Sequence, residues 1–422
     1  MDIRIKELID LTKAKFGLDD YYLHTHRLRR SINIYNNPVY TLCMEWFPGH
    51  ATKQENDDYN PAGTAVVDID INSRQFKSII FVGGKSFANG IVFPNSNTNA
   101  LIKWIEQETG LAYGEQFQLV REKKGELFFQ ERIYGIAASP AGYIEINLDQ
   151  EGKLTLFSVN GHFPSKDLII KETYSLTLEK VEQLTKEQLK FVELPSLEKK
   201  RFIPVYAIEE IFVTNDQTST IPFKLNTDIK SDLTIEKVMR WKTPVNKPFK
   251  RTEISFIEDV KPDQTFLCES HPDTLPITPI EQDQCIMAVE NFLRQVFPQD
   301  TGKWILKTLH RENGYIHALL KQNKTDNCVF QRKLIIFLDA INIQVLNYMD
   351  TKPFLEIFKD FEKPEKTTLN KDEAYEKIRA LIELTPVYVY NFKQKKYSLC
   401  GKIDCHYGVH AARGQAVLLD DL

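Results

Sequence analysis

The sequence predicts an α+β chain of recurring units, each a single helix packed on a short antiparallel sheet. Three observations carry that expectation. From Glu281 to Phe297 apolar residues recur every three or four positions, and Pro298 stops the run. Short segments of alternating polarity follow it, separated by polar turns. The same order, helix and then strands, returns several times along the chain, as an α+β arrangement requires.

Taken in order, a helix over Ile5, Leu8, Ile9, Thr12 and Phe16 precedes strands at Tyr40–Phe47, Gly63–Ile71 and Phe76–Gly83. A second, near Leu101, Trp104 and Ile105, precedes strands at Gln116–Arg121, Leu127–Tyr134, Tyr143–Leu148 and Leu154–Val159. A shorter unit has its helix at Leu178–Leu189 and strands at Phe202–Ile208 and Glu210–Val213. The helix after Glu281 buries Cys285, Ala288, Val289, Phe292, Leu293 and Val296 as one stripe. Strands at Trp304–Leu309, Tyr315–Leu320, Cys328–Leu338 and Ile341–Tyr348 follow it. A last helix, Ala374–Leu384, leads to strands at Val387–Phe392, Tyr397–Lys402 and Gly408–Ala412.

The stretches Val66–Phe81 and Tyr143–Phe157 share one pattern of strand, polar turn and strand, the signature of a hairpin. Ser175 and Thr368 each open a short unit in the manner of a helix N-cap. A long unit followed by a short one is therefore expected twice, as an internal duplication. The expected domains are an N-terminal helix-plus-sheet unit (1–95), a first long-plus-short pair (96–225), a connecting segment rich in Pro, Lys, Asp and Thr (226–280), and a second pair (281–422).

Composition bounds the function. The 422 residues exceed a single core, and about two to four domains are expected. A formal charge of −4 offers no footprint for a phosphate backbone, so no nucleic-acid partner is expected. No apolar run reaches the roughly 20 residues of a membrane span, and the N-terminus lacks a secretory core, which makes a cytoplasmic location the expectation. Six cysteines are too few for a disulfide scaffold.

Thr41-Leu-Cys-Met-Glu-Trp-Phe47, Asn60-Pro-Ala-Gly-Thr-Ala-Val-Val67 and Ile79-Ile-Phe-Val-Gly-Gly84 together resemble the bacterial, Bacillus-type proteins with the YcdB/YcdC repeated domain. The C-terminal stretch from Tyr397 to Val417 is also similar, its end being like that of PepSY-type units. His410-Ala-Ala-Arg-Gly-Gln415 departs from that ending in lacking an Asp and a Thr. The resemblance implies PepSY-like helix-plus-sheet modules, which elsewhere are linked to peptidase inhibition or to association with other proteins. It implies no defined activity.

Residues that could carry chemistry are sparse. Cys400, Cys405, His406 and His410 are the densest set of zinc-type donors, and a structural site takes four. Their spacing is not a common zinc arrangement, and strand alternation sends Cys405 and His406 to opposite faces. Cys400 and Cys405 could instead form a reversible disulfide across a hairpin, or all four could be plain strand and turn residues. His24 and His26 stand near three arginines and read as polar surface; Asp68 and Asp70 read as the wet face of a strand. Val82-Gly-Gly-Lys-Ser86 lacks the first glycine of a phosphate loop, Ser139-Pro-Ala-Gly142 is not a nucleophile elbow, and no H-E-x-x-H occurs.

Glu45, Trp46 and Phe47, with the polar loop His50–Tyr59 and Asn60 beyond it, form a candidate contact surface, because aromatics anchor interfaces; core packing is the competing role of the two rings. The resulting expectation is a non-catalytic binding or regulatory protein with a peptide or protein partner, without a cofactor and without a membrane role. Peptidase modulation enters through the resemblance. The alternative is a metal- or thiol-dependent hydrolase using the C-terminal Cys/His cluster.

Overall fold

Local capping sets where the helices begin. The Asp2 side chain accepts from the backbone N–H of Arg4, and Gly17 closes the first helix in the left-handed region, at φ 60°. Thr278 and Glu281 form a reciprocal capping box at the start of the longest helix, with Pro279 in its first turn. The computed structural model describes residues 1–51, 59–94, 97–223, 233–256, 260–323 and 328–422.

In chain order the elements begin with α1 (Ile3–Phe16), β1 (Tyr21–Ile32), β2 (Pro38–Pro48), β3 (Ala65–Asp70), β4 (Phe76–Phe81), α2 (Thr98–Thr109), β5 (Phe117–Lys123), β6 (Glu126–Ile133), β7 (Ile136–Ser139), β8 (Tyr143–Leu148) and β9 (Leu154–Asn160). They continue with α3 (Glu182–Gln188), β10 (Leu189–Ser196), β11 (Arg201–Ile208), β12 (Ile211–Thr214), β13 (Thr220–Pro222), β14 (Leu233–Met239), α4 (Pro262–Phe266), α5 (Pro279–Val296), β15 (Trp304–Glu312) and β16 (Tyr315–Gln322). Last come β17 (Lys333–Asp339), β18 (Val345–Asp350), α6 (Lys352–Leu355), α7 (Lys371–Ile378), β19 (Glu383–Asn391), β20 (Lys396–Asp404), β21 (Tyr407–His410) and β22 (Ala416–Leu418).

This corrects the expected fold class. Strand makes up about 40% of the described residues and helix 23%. One mixed sheet runs through 13 strands in the order β1-β2-β3-β4-β9-β8-β6-β7-β19-β20-β12-β13, with β5 beside β6. The chain is mostly β, not a series of helices each on its own short sheet. The physical reason lies at the strand edges. A hairpin leaves a row of backbone donors and acceptors open on each side, and pairing hairpin to hairpin satisfies them. The stretches Val66–Phe81 and Tyr143–Phe157, expected to close separate units, lie side by side: β4 pairs antiparallel with β9, Ile79 opposite Phe157.

Two compact units divide the chain: Met1–Ile170 with Ile257–His271 and Val387–Tyr397, and Lys171–Phe256 with Pro272–Pro386 and Ser398–Leu422. In the first, α1 and α2 bury Leu8, Phe16, Leu101 and Ile105 in one core with Leu42, Met44, Val67, Ile79, Phe129 and Phe157. Both helices thus serve the same core, which repeated modules would keep apart. The second unit holds two cores. In one, α5 supplies Cys285, Val289, Phe292 and Leu293 to the inner face of the sheet β14–β18. In the other, Ala374, Tyr375 and Ile378 of α7 pack with Leu189, Ile208, Ile403 and Val409. Among the described residues no helix is long and apolar enough to cross a membrane.

Candidate functional site

Strand β6 shows where the inner face of the first unit changes character. Its alternation turns Leu127, Phe129, Glu131 and Ile133 inward, so a carboxylic acid takes a place where period two calls for an apolar residue. Glu131 is 1% exposed. Gly142 is the residue that makes room for it. The Gly142 N–H donates to Glu131 Oε2 at 2.5 Å, while the Glu131 N–H donates to the Gly142 carbonyl at 2.8 Å. A Cβ at Gly142 would stand 2.9 Å from Glu131 Oε2 and 3.0 Å from the Phe163 ring. Gly161 closes the approach from the other side: its φ is 97°, and a Cβ there would come within 2.2 Å of Gly142 Cα. Two glycines are required because no side chain fits between these backbones.

The other carboxyl oxygen, Glu131 Oε1, is buried and has no hydrogen-bond partner among the described residues. Leaving such an atom unsatisfied costs roughly 1–3 kcal/mol. Burial pushes the carboxyl up to about 7, against the pull of the Gly142 N–H, which favours the charged form. Phenols and an imidazole gather near it. The hydroxyls of Tyr35 and Tyr397 are 3.5 Å apart, and the Tyr35 ring meets those of Tyr390 and His162 edge-on at 5.3 and 5.4 Å. Burial pushes Tyr35 up to about 12 and Tyr397 further, the Glu131 charge adding to both. Burial, helped by the Lys77 charge, lowers His162 to about 4. At neutral pH the tyrosines and His162 are uncharged, and within this group Glu131 is the one that titrates there.

Glu131 and Arg132 line a small open cleft. Ile133, Tyr134, Phe163, Pro164 and Ile169 give it an apolar wall, and Lys166 adds a cation. Arg132 Nε, a donor, is also buried without a partner among the described residues. Alternation turns Glu131 inward and Arg132 to the other face of β6, and both residues border the cleft.

The residues singled out from sequence lie elsewhere. On β2, Tyr40, Leu42, Met44 and Trp46 point into the core, so Trp46 is a packing residue. Glu45 and Phe47 sit on the opposite face. Glu45 accepts from Thr25 Oγ1 at 3.0 Å. Phe47, itself buried, stacks on His24 with centroids 4.1 Å apart and meets Tyr22 edge-on at 5.9 Å. Asn60 is half-buried just before β3. Residues 52–58 of the loop His50–Tyr59 lie outside the described residues.

In the second unit the four C-terminal donors go separate ways. Cys400 Sγ donates to the Ser398 carbonyl and Cys405 Sγ to that of Leu381. His406 is exposed, and His410 is buried with its Nδ1 accepting from Ala412 N at 3.3 Å. All six cysteines are free. Burial pushes the Cys400 thiol up to about 12 and raises Cys405 as well, so neither is a ready thiolate at neutral pH. Among the described residues, no group of three or more metal-type donors includes them.

Sequence reasoning passed over Glu131. The available signal was Leu127-Phe-Phe-Gln-Glu-Arg-Ile133, in which an acid interrupts the buried phase of a strand. Comparison with protein-family models, curated proteins and solved structures finds no match to this chain.

Proposed function

We propose that this chain is a non-catalytic binding protein that takes up a peptide segment in the Glu131 cleft. One observation carries the reading: Glu131, whose buried Oε1 the described residues leave without a partner, borders a cleft with an apolar wall. A peptide N–H would complement that oxygen. The wall of Ile133, Tyr134, Phe163 and Pro164 suits an apolar side chain beside it. Six free thiols support a reducing, cytoplasmic setting.

The test is a selection from a random displayed-peptide library on the full chain, followed by affinity measurement at pH 7. Enriched peptides are expected to lose about tenfold or more in affinity on Glu131→Ala and on Phe163→Ala, the loss typical of a central contact. Selected peptides that bind Glu131→Ala as well as they bind the natural chain would place recognition elsewhere. So would a selection that yields nothing.

A further inference from the structure

We propose that His310, Glu312 and His317, at the tip of the β15–β16 hairpin, form a site for one divalent transition-metal ion of the zinc type. The hairpin turns through Asn313 and Gly314, with φ of 52° and 78°. Two left-handed residues of this kind, with Asn-Gly in the loop, make the tight turn whose twist suits two flanking strands. The resulting register places His310 directly opposite His317, and Glu312 lies two residues beyond His310 on the same face. All three side chains therefore leave one side of the hairpin. Leu309, Ile316 and Ala318 occupy the other, in the core with α5.

The distances fit an ion with little rearrangement. Glu312 Oε2 stands 3.4 Å from His310 Nε2 and 3.4 Å from His317 Nδ1. One donor atom from each residue lies within 4.8 Å of the other two. Ligands about 2.0–2.2 Å from a tetrahedral ion are about 3.3–3.6 Å apart, so two of the three separations already match. Only the two imidazoles, whose ring centres are 4.8 Å apart, need to draw together.

The surroundings also suit a cation. Two neutral imidazoles and a carboxylate are a donor set that zinc accepts, and three protein ligands leave a fourth position for water or a ligand oxygen. The His317 side chain is 9% exposed and its ring meets Phe337 edge-on at 4.8 Å, which fixes one ligand in an apolar shell. The nearest cation in sequence, Arg311, belongs to the opposite face and is held by Glu281 Oε1 at 2.5 Å. Its charge is thus neutralised away from the donors.

Metal-free full-length chain, prepared with a chelator, is titrated with Zn²⁺ by calorimetry and with Co²⁺ by absorption. One equivalent is expected, with cobalt ligand-field bands and no thiolate charge-transfer band. Loss of an outer partner alone costs a metal site about 10–100-fold, so His310→Ala, His317→Ala and Glu312→Gln are each expected to cost about 100-fold or more. Glu312→Gln sits at an accessible tip and keeps the side-chain shape, so it reports on binding even if a histidine variant folds poorly. Cys405→Ser is expected to bind as the natural chain does. Absence of stoichiometric binding, undiminished affinity in Glu312→Gln, or loss in Cys405→Ser would overturn the assignment; in the first two cases Glu312 serves only as a hydrogen-bond acceptor for the two imidazoles.

Discussion

Replacing Glu131 with Gln should stabilise the folded chain at pH 8 and change it little in acid. The amide keeps the shape of the side chain and can still accept the Gly142 N–H, but it cannot ionise. Burial raises the folded-state carboxyl from its usual 4.5 to about 7. The folded state therefore holds its proton over a range where the unfolded chain has released it. A carboxyl shifted upward contributes its full stability below pH 4.5 and loses it as pH rises through 7. At about 1.4 kcal/mol per pH unit, the natural chain should fall behind the variant by about 2 kcal/mol at pH 6 and about 3 kcal/mol at pH 8. His162 has the opposite sign. Held near 4 by burial, it costs stability as pH falls from 6.5 towards 4. Both chains carry it, so it cancels in their difference. Urea unfolding followed by tryptophan fluorescence at pH 5, 6, 7 and 8 provides the measurement. A difference between the two chains that stays constant from pH 5 to pH 8 would refute the argument, since it would mean that Glu131 titrates alike in folded and unfolded chains.

Two further substitutions probe the frame of the two units. Gly161→Ala places a Cβ 2.2 Å from Gly142 Cα at a φ of 97°, and a loss of about 2 kcal/mol or more is expected, read as a lower Tm together with weakened peptide affinity. An unchanged Tm would show that the Gly142–Gly161 approach is not needed. Thr278→Ala removes the side chain that caps the Glu281 N–H and should cost about 1 kcal/mol in urea unfolding, whereas Thr278→Ser should cost much less.

Much of the local structure was legible in the sequence, and the way it is assembled was not. The helix expected from Glu281 to Phe297 occurs as Pro279–Val296, because a strong apolar stripe, a capping box and a proline stop all agree there. The hairpins at Val66–Phe81 and Tyr143–Phe157 were visible through alternation and polar turns. Their pairing with one another through Ile79 and Phe157 was not, because hydrogen bonds between strand edges leave no mark in side-chain order. The parallel pairing of Val387 with Ala137 joins segments 250 positions apart and is equally silent. The same limit hid the candidate sites. Cys400, Cys405, His406 and His410 are dense in sequence but divided among β20, the link after it and β21, whereas His310 and His317 meet only because a two-residue turn sets their register.

Glu131 bears on function because packing alone does not call for it. A glutamine at this position would accept the same Gly142 N–H and carry no ionisation penalty. A leucine would continue the run of Leu127, Phe129 and Ile133, though it would strand the Gly142 donor. The carboxyl satisfies that donor at a cost of about 3 kcal/mol at neutral pH, and it leaves its second oxygen without a partner among the described residues. Where a buried position breaks the local rule of its strand at such a cost, the compensating gain is sought in something the isolated chain does not contain. The cleft beside Glu131 limits what that can be. A charged metal would want further donors than one carboxyl, and a purely apolar ligand would leave Oε1 unmet. The peptide proposed above would bring an N–H for that oxygen and a side chain for the wall of Phe163 and Pro164.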